Sequence, residues 1–201
     1  MSLTVNSGSA ASFEPISEGT HLAVCSMLID LGQQFSEKFG TSSRKVLIQW
    51  EVPDETIELD SGPVPRTISK RYTASLNEKA ALRADLEAWR GRKFTPEELA
   101  GFDLRAIVGK SCFITVVHSK GQNDKVYANV GAVMALPKGT PPAKLSEPPT
   151  IYDIDEDPLE KLDALPEWLQ EIIKKSPSYE EKRNATPTFQ EIDDSESDLP
   201  F

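Results

Sequence analysis

Proline and acidic residues are concentrated after Lys138, and this division limits the part of the chain that can form a compact core. Nine of the 15 prolines lie beyond that residue. Residues 1–138 carry 16 basic and 16 acidic side chains, whereas residues 139–201 carry 6 and 16, which accounts for the whole net charge of −10. A proline-rich, acidic composition is typical of extended, solvated chain. We therefore expect one folded domain over residues 13–138, followed by an acidic appendage.

The appendage divides into three parts by composition. A Pro-rich acidic linker is predicted over 139–165, and a largely disordered acidic tail, with too few apolar residues for a core, over 177–201. Between them, apolar residues near helical spacing predict a short amphipathic helix over 166–176, which either docks on the body or contacts a partner. The Ser- and Ala-rich residues 1–12 are predicted to form a flexible N-terminus.

Five strand-like segments lie within the expected domain. Apolar and β-branched runs predict strands at 21–31, 46–52, 67–76, 111–118 and 126–136. A helix is predicted over 78–90, with Asn77 as its N-cap and Gly91 just past its end, and a capping box at Thr95 begins a second, short helix. Three strands, a helix and two strands form the order of the oligonucleotide/oligosaccharide-binding (OB) fold, a five-stranded Greek-key barrel. The sequence thus predicts a mainly β fold of this class, with a small β-sandwich as the alternative.

The residue inventory argues against an enzyme or a metal protein. The chain has 2 histidines, His21 and His118, and neither is spaced with cysteines or carboxylates as in a zinc site. It contains no glycine-rich phosphate loop and no Gly-x-Ser-x-Gly nucleophile motif. The 2 cysteines, Cys25 and Cys112, are isolated within apolar segments, so we expect buried thiols in a reducing compartment. No catalytic residue, metal or cofactor is predicted.

Membrane insertion and secretion are not expected either. No segment reaches the roughly 20 consecutive apolar residues of a membrane span. The N-terminus also lacks the basic and apolar regions of a signal peptide. We therefore expect a soluble, cytoplasmic protein.

Basic and aromatic residues occur together where an OB fold binds its ligand. Binding of a single strand needs cations along the phosphates and aromatic faces for the bases. The connection between the first two strands, predicted as a long polar loop, and the connection between the last two flank the ligand groove of this fold. For Trp50 and Tyr72, a place in the core is the alternative to a DNA contact. The predicted DNA-binding residues are Phe35, Lys38, Phe39, Arg44, Lys45, Trp50, Lys70, Arg71, Tyr72, Arg92, Lys93, Lys120, Lys125 and Tyr127.

The chain ends in the acidic and apolar sequence IDDSESDLPF. In this ending it resembles the single-stranded-DNA-binding proteins of bacteria and their phages, whose acidic tails finish with Asp residues, an aliphatic residue, Pro and Phe. Three further segments, FEPISEGTHLAVCSMLIDLG, SLNEKAALRADLEAWRGRKFTPEELAGFDL and YANVGAVMALPKG, look like a phage-encoded version of the barrel rather than the bacterial housekeeping protein. The resemblance implies a partner-binding tip made of Asp193, Asp194, Asp198, Leu199, Pro200 and Phe201.

The resemblance also implies a function. The protein is expected to coat single-stranded DNA during phage DNA replication or recombination in the cytoplasm of a bacterial host. Its tip is expected to recruit replication or repair proteins, and its acidic tail to compete with DNA for the groove. Formation of a homo-oligomer stays open, because the body differs from the tetrameric bacterial proteins. The alternatives are an acidic interaction protein that mimics nucleic acid, an annealing protein, and a magnesium-dependent nuclease that uses the acidic segment 54–60.

Overall fold

The β-strands are longer than the sequence pattern indicates. The computed structural model describes residues 14–37, 39–60, 62–121 and 124–185. The predicted N-terminus 1–12, Lys38 and the six predicted tip residues lie outside the described residues. The strands are β1 (Gly19–Ser36), β2 (Thr41–Leu59), β3 (Gly62–Thr73), β4 (Ser111–Lys120), β5 (Val126–Met134) and β6 (Thr150–Tyr152).

The helices are few and short. The α-helices are α1 (Ala81–Arg90), α2 (Pro96–Ala100), α3 (Glu167–Lys174) and α4 (Pro177–Ala185). Two 3-10 helices cover Leu104–Ile107 and Leu159–Ala164. Within the described ranges, none of the helices has the length and apolar character that crossing a membrane requires.

Five antiparallel strands form a curled sheet in the order β3-β2-β1-β4-β5. β1 lies at the centre, with β2 paired along one side and β4 along the other. Register shifts in β1 after Cys25 and after Asp30, and in β5 at Gly131, opposite Thr115 and Val116, mark bulges that bend these strands. The result is a half-barrel, and the prediction of a mainly β fold is confirmed.

The polar segment between the first two predicted strands is not a long loop. β1 and β2 stay paired as far as Ser36 and Thr41, and a tight turn with Gly40 at φ 60° joins them. The predicted connection is wrong because polar residues on a paired, exposed arm lack the apolar alternation that identifies a strand. Phe35 and Lys45 therefore lie on the strands of a hairpin.

The second hairpin also extends further than predicted. β2 continues past Pro53 to Leu59 and pairs there with β3 from Gly62 onward. The ladder is interrupted next to Pro53, which has no N–H to donate. Most of the acidic segment 54–60 thus belongs to a strand rather than to a turn.

The inner side of the curled sheet packs against α1. Leu82, Leu86 and Trp89 of this helix are buried there, and the Trp89 ring lies 5.9 Å from the ring of Trp50 on β2. The Trp89 indole N–H donates to the Ser111 carbonyl over 3.0 Å, which ties α1 to β4. We call this cluster the interior core.

A second cluster covers the outer side of β1 and β2. Ile29, Leu31 and Leu47 are buried there by residues of the C-terminal segment 150–185. Its first element, β6, runs parallel to β1. We call this cluster the outer core. The C-terminal residues buried in it are Tyr152, Ile154, Leu162, Leu165, Leu169 and Ile173.

The structure differs here from the predicted linker and tail. Residues 150–165, predicted as solvated linker, contain β6 and a 3-10 helix and supply four buried side chains to the outer core. α3 covers most of the predicted amphipathic helix, and α4 lies inside the predicted tail. Isolated apolar residues among prolines and aspartates have no periodicity, so composition alone does not distinguish them from linker. A sheet with an apolar outer face can nevertheless bury each of them.

Truncation of a side chain in the outer core tests whether the C-terminal segment is part of the fold. Ile173 has no exposed surface, so Ile173→Ala should lower the free energy of unfolding by about 2–5 kcal/mol. Glu171→Ala, at an exposed position of the same helix, should change it by less than about 0.5 kcal/mol. Urea denaturation followed by circular dichroism measures both changes. Equal stability of the two variants would contradict a packed C-terminal segment.

Candidate nucleic-acid interface

Two of the predicted aromatic contacts, Trp50 and Tyr72, lie in the interior core. Trp50 has no exposed surface and Tyr72 is 3% exposed. The Tyr72 hydroxyl donates to Asp85 of α1 over 2.7 Å, and burial together with this carboxylate raises the pKa of Tyr72. A base cannot reach the Trp50 ring, and almost all of the Tyr72 side chain is covered. We therefore reassign both residues from DNA contacts to the core.

Arg44, a predicted DNA contact, is held by an acidic cluster. Its guanidinium group contacts Asp30 on β1 and lies 2.7 Å from Asp155 of the C-terminal segment, and the hydrogen bond to Asp30 does most to raise the pKa of Arg44. A third carboxylate, Asp153, accepts from Arg105 over 3.0 Å. The three carboxylates lie close enough together to share a cation. Because two guanidinium groups already contact them, we interpret the cluster as a link between the half-barrel and the C-terminal segment.

Lys70 and Arg92 are also paired with carboxylates. Lys70 Nζ lies 2.8 Å from Asp85, and Arg92 lies 2.7 Å from Glu98. Glu98 also accepts from the backbone N–H of Thr95, which completes the capping box predicted from the sequence. The hydrogen bond from Arg92, followed by that from Thr95, lowers the pKa of Glu98 to about 2. These carboxylates offset the positive charge that Lys70 and Arg92 offer to a phosphate.

The low pKa of Glu98 predicts how its contribution to stability depends on pH. Because this pKa is lower in the folded than in the unfolded chain, the carboxylate stabilises the fold above its ordinary pKa of 4.5. That contribution is lost as the pH falls towards 2. Glu98→Gln should therefore have a lower free energy of unfolding than the wild type at pH 7. The difference in free energy of unfolding between the two proteins should become smaller as the pH falls from 4.5 to 2. Urea denaturation over a pH series measures it, and a constant difference would refute the role of the ionised carboxylate.

Two of the predicted cations without a carboxylate partner, Lys45 and Arg71, lie on the outer side of the sheet. Lys45 of β2 and Arg71 of β3 line a groove of about 540 Å³, together with Lys79 from the connection between β3 and α1. We call it the outer groove, and its other lining residues include Leu31, Phe35, Thr73 and Ile172. No acidic residue of the described chain lines it. None of the three cations forms an ion pair with another described residue.

Exposed aromatic side chains lie in the outer groove and near it. Phe35 of β1 lines it and is 64% exposed, whereas Phe39, in the turn after β1, is 72% exposed and does not line it. Trp168 of α3 is 43% exposed, and its ring centre lies 5.8 Å from the Arg71 guanidinium group. The groove and its border thus combine positive charge with aromatic surface.

A second groove lies between the two outermost strands, β3 and β5. Residues 66–69 of β3 and 126–128 of β5 line it, with a volume of about 510 Å³. We call it the edge cleft. Tyr127 is 54% exposed there, and Lys120 and Lys125 are exposed at the two ends of the adjoining β4–β5 turn.

The outer face of β3 joins the two grooves. Ile68 and Tyr72 are buried in the interior core, so the alternation of a strand places Ser69, Arg71 and Thr73 on the opposite face, where all three are exposed. Ser69 lines the edge cleft, whereas Arg71 and Thr73 line the outer groove. At about 3.3 Å per residue, the strip from Ser69 to Thr73 is about 13 Å long. The two grooves therefore adjoin along one polar strip.

The structure brings together only part of the predicted DNA-binding set. Phe35, Lys45 and Arg71 line the outer groove, the nearly buried Tyr72 forms part of its wall, and Tyr127 lines the edge cleft. Lys93 is exposed after α1 and lines neither groove. The prediction missed Lys79 and Trp168. Trp168 falls within the helix predicted over 166–176, and its position beside Arg71 depends on how the C-terminal segment folds back.

The two histidines are hydrogen-bonded to backbone carbonyl groups, and Cys25 and Cys112 are buried. His21 Nε2 lies 2.8 Å from the Ser17 carbonyl oxygen, and His118 Nε2 lies 2.7 Å from that of Ile16. Cys25 is fully buried, as predicted, and burial raises its pKa to about 12. Such a thiol is not ionised at neutral pH and is therefore not an activated nucleophile. Cys112 is equally buried, and its pKa is raised for the same reason.

Comparison with known proteins does not assign the chain to a family. No protein-family model and no curated protein matches it. The functional conclusion therefore depends on the residues of the two grooves and on the C-terminal sequence.

Proposed function

We propose that the chain is a single-stranded-nucleic-acid-binding protein without catalytic activity. The observation that carries the proposal is the outer groove, where three cations lie beside exposed aromatic rings and no lining residue of the described chain is acidic. The chain as a whole has a net charge of −10, and Arg44, Lys70 and Arg92 are each paired with a carboxylate. Although the chain is acidic as a whole, the cations of the outer groove have no carboxylate beside them in its lining and are therefore available to bind phosphates.

Binding in the outer groove combines two kinds of contact. Lys45 and Arg71 neutralise phosphates, and the release of counterions makes the affinity fall as the salt concentration rises. Phe35 offers a ring face to a base, a contact worth about 1–3 kcal/mol. Neither contact depends on base identity, so binding tolerates any sequence. The bases of a duplex are stacked and paired, which keeps them from such rings and favours the single strand.

We also propose that the half-barrel is an OB fold. The central position of β1, the chain order of α1 between β3 and β4, and the approach of β3 to β5 across the edge cleft support this assignment. OB folds bind oligonucleotides on the face of their second and third strands. The outer groove takes Lys45 from β2 and Arg71 from β3, which agrees with that placement.

The C-terminal tip extends the proposal to a biological role. Its resemblance to the tips of bacterial and phage single-stranded-DNA-binding proteins supports a protein that coats DNA in phage replication or recombination. Asp198 and the terminal Phe201 would then bind a basic, apolar pocket on a replication or repair partner. These residues lie outside the described chain, so this part of the proposal rests on the sequence.

Titration of the full chain against labelled oligo-dT and against a duplex of equal length tests the proposal. We expect preferential binding to the single strand, with the logarithm of the binding constant falling linearly with the logarithm of the salt concentration. Fluorescence anisotropy over a salt series measures both properties. Absence of binding to both ligands would refute the proposal and favour an acidic interaction protein.

Single substitutions test whether the outer groove is the binding surface. Lys45→Ala and Arg71→Ala should each weaken oligo-dT binding and reduce the salt slope by about 0.7, because each removes one phosphate contact. Lys144→Ala is the matched control, since Lys144 is exposed and lines neither groove. Anisotropy titrations at several salt concentrations give the slopes. If Lys144→Ala weakens binding as much as the groove variants, the effect is one of net charge and not of a site.

A further inference from the structure

One tryptophan of the chain differs from the other two in its surroundings. Among the 3 tryptophans, Trp50 has no exposed surface, Trp89 is 7% exposed, and Trp168 is 43% exposed. Trp50 and Trp89 belong to the interior core, whereas Trp168 lies on α3 of the C-terminal segment. A flat aromatic partner that covers a large exposed ring removes apolar surface from water, so this exposure favours a contact.

α3 holds the Trp168 ring in place. Leu169 and Ile173 of the same helix have no exposed surface and are packed in the outer core. Ile172, four residues after Trp168, lines the outer groove. Residues four apart lie on the same face of a helix, so Trp168 is presented on the side that borders the groove. Its position is therefore set by the outer core rather than by a loose terminus.

The charges around the ring suit a nucleotide. The Arg71 guanidinium group lies 5.8 Å from the ring centre. The carboxylate three residues further along the helix, Glu171, lies 3.8 Å from Lys175, which reduces its repulsion of a phosphate. A phosphate bound by Arg71 thus brings the base of the same nucleotide close to the indole.

Building on the proposed function, we propose that Trp168 stacks on a base of the single strand bound in the outer groove. The binding site is then made of two parts of the chain that are far apart in sequence: β1, β2 and β3 supply Phe35, Lys45 and Arg71, and the C-terminal segment supplies the indole. The C-terminal segment thus has a direct role in binding, separate from that of the acidic tip.

Intrinsic tryptophan fluorescence tests the contact. Stacking on a base should quench Trp168, while Trp50 and Trp89 stay in the interior core and give a constant background. The full chain is titrated with unlabelled oligo-dT, and binding is measured independently by anisotropy of labelled oligo-dT. We expect the fluorescence change to follow the binding curve. Trp168→Phe, which keeps an aromatic ring, should retain most of the affinity and lose the fluorescence change.

Removal of the ring tests its contribution to affinity. Trp168→Ala should weaken oligo-dT binding by about 5- to 150-fold. Val117→Ala is the control, because Val117 is 44% exposed on β4 and lines neither groove. Unchanged circular dichroism spectra establish that both variants fold. Binding without a fluorescence change, or wild-type affinity of Trp168→Ala, overturns the role of Trp168 and leaves the proposed function standing. Absence of oligo-dT binding by the wild type overturns both.

Discussion

Burial of β1 on both of its faces is the constraint on which the rest of the structure depends. Leu28 points into the interior core, whereas its neighbour Ile29 and then Leu31 point into the outer core. The same strand pairs with β2, β4 and β6. A strand covered on both sides needs an apolar residue at nearly every position. The half-barrel and the C-terminal segment therefore share one central element, and neither has a complete core without it.

The surface chemistry follows from this arrangement. The outer core places α3 beside β3, which brings Trp168 to Arg71. Asp153 and Asp155 of the C-terminal segment contact Arg105 and Arg44, and no acidic residue from its described part lines the outer groove. Pairing between carboxylates and arginines thus takes up acidic groups next to the sheet. A chain with a net charge of −10 can in this way keep one cationic groove.

The parts of the fold that the sequence predicted are those with a strong local signal. The capping box at Thr95 and the bounds of β4, to within two residues, are fixed by side chains close in sequence and were predicted, whereas for β1 and β2 only the apolar middle of each strand was predicted. The paired arm around Phe35 was predicted as a loop because its stability comes from the partner strand. Tyr152 was placed in a linker, since only the outer face of a distant sheet explains its burial.

Only part of the candidate site was predicted, because the sequence shows residue types but not tertiary contacts. Residue type identified Lys45 and Arg71 as cations, but it could not separate them from Arg44 and Lys70, whose carboxylate partners lie on other elements. Strand alternation predicts which residues of β3 share a face, but not which of the two faces is buried. The pairing of β3 with β2 places Tyr72 on the face that packs in the interior core. Which cations are available to a ligand is thus a property of tertiary contacts rather than of composition.

The parallel pairing of β6 with β1 has a consequence for synthesis of the protein on the ribosome. Met27 meets Thr150 only after most of the chain has been made. Until then the residues that cover Ile29, Leu31 and Leu47 on the outer side of the sheet are missing. Contacts that join distant parts of a chain form late, and apolar surface exposed in the meantime favours aggregation. The nascent half-barrel is therefore at its most vulnerable just before its last quarter leaves the exit tunnel, and chaperone binding to these three residues would protect it.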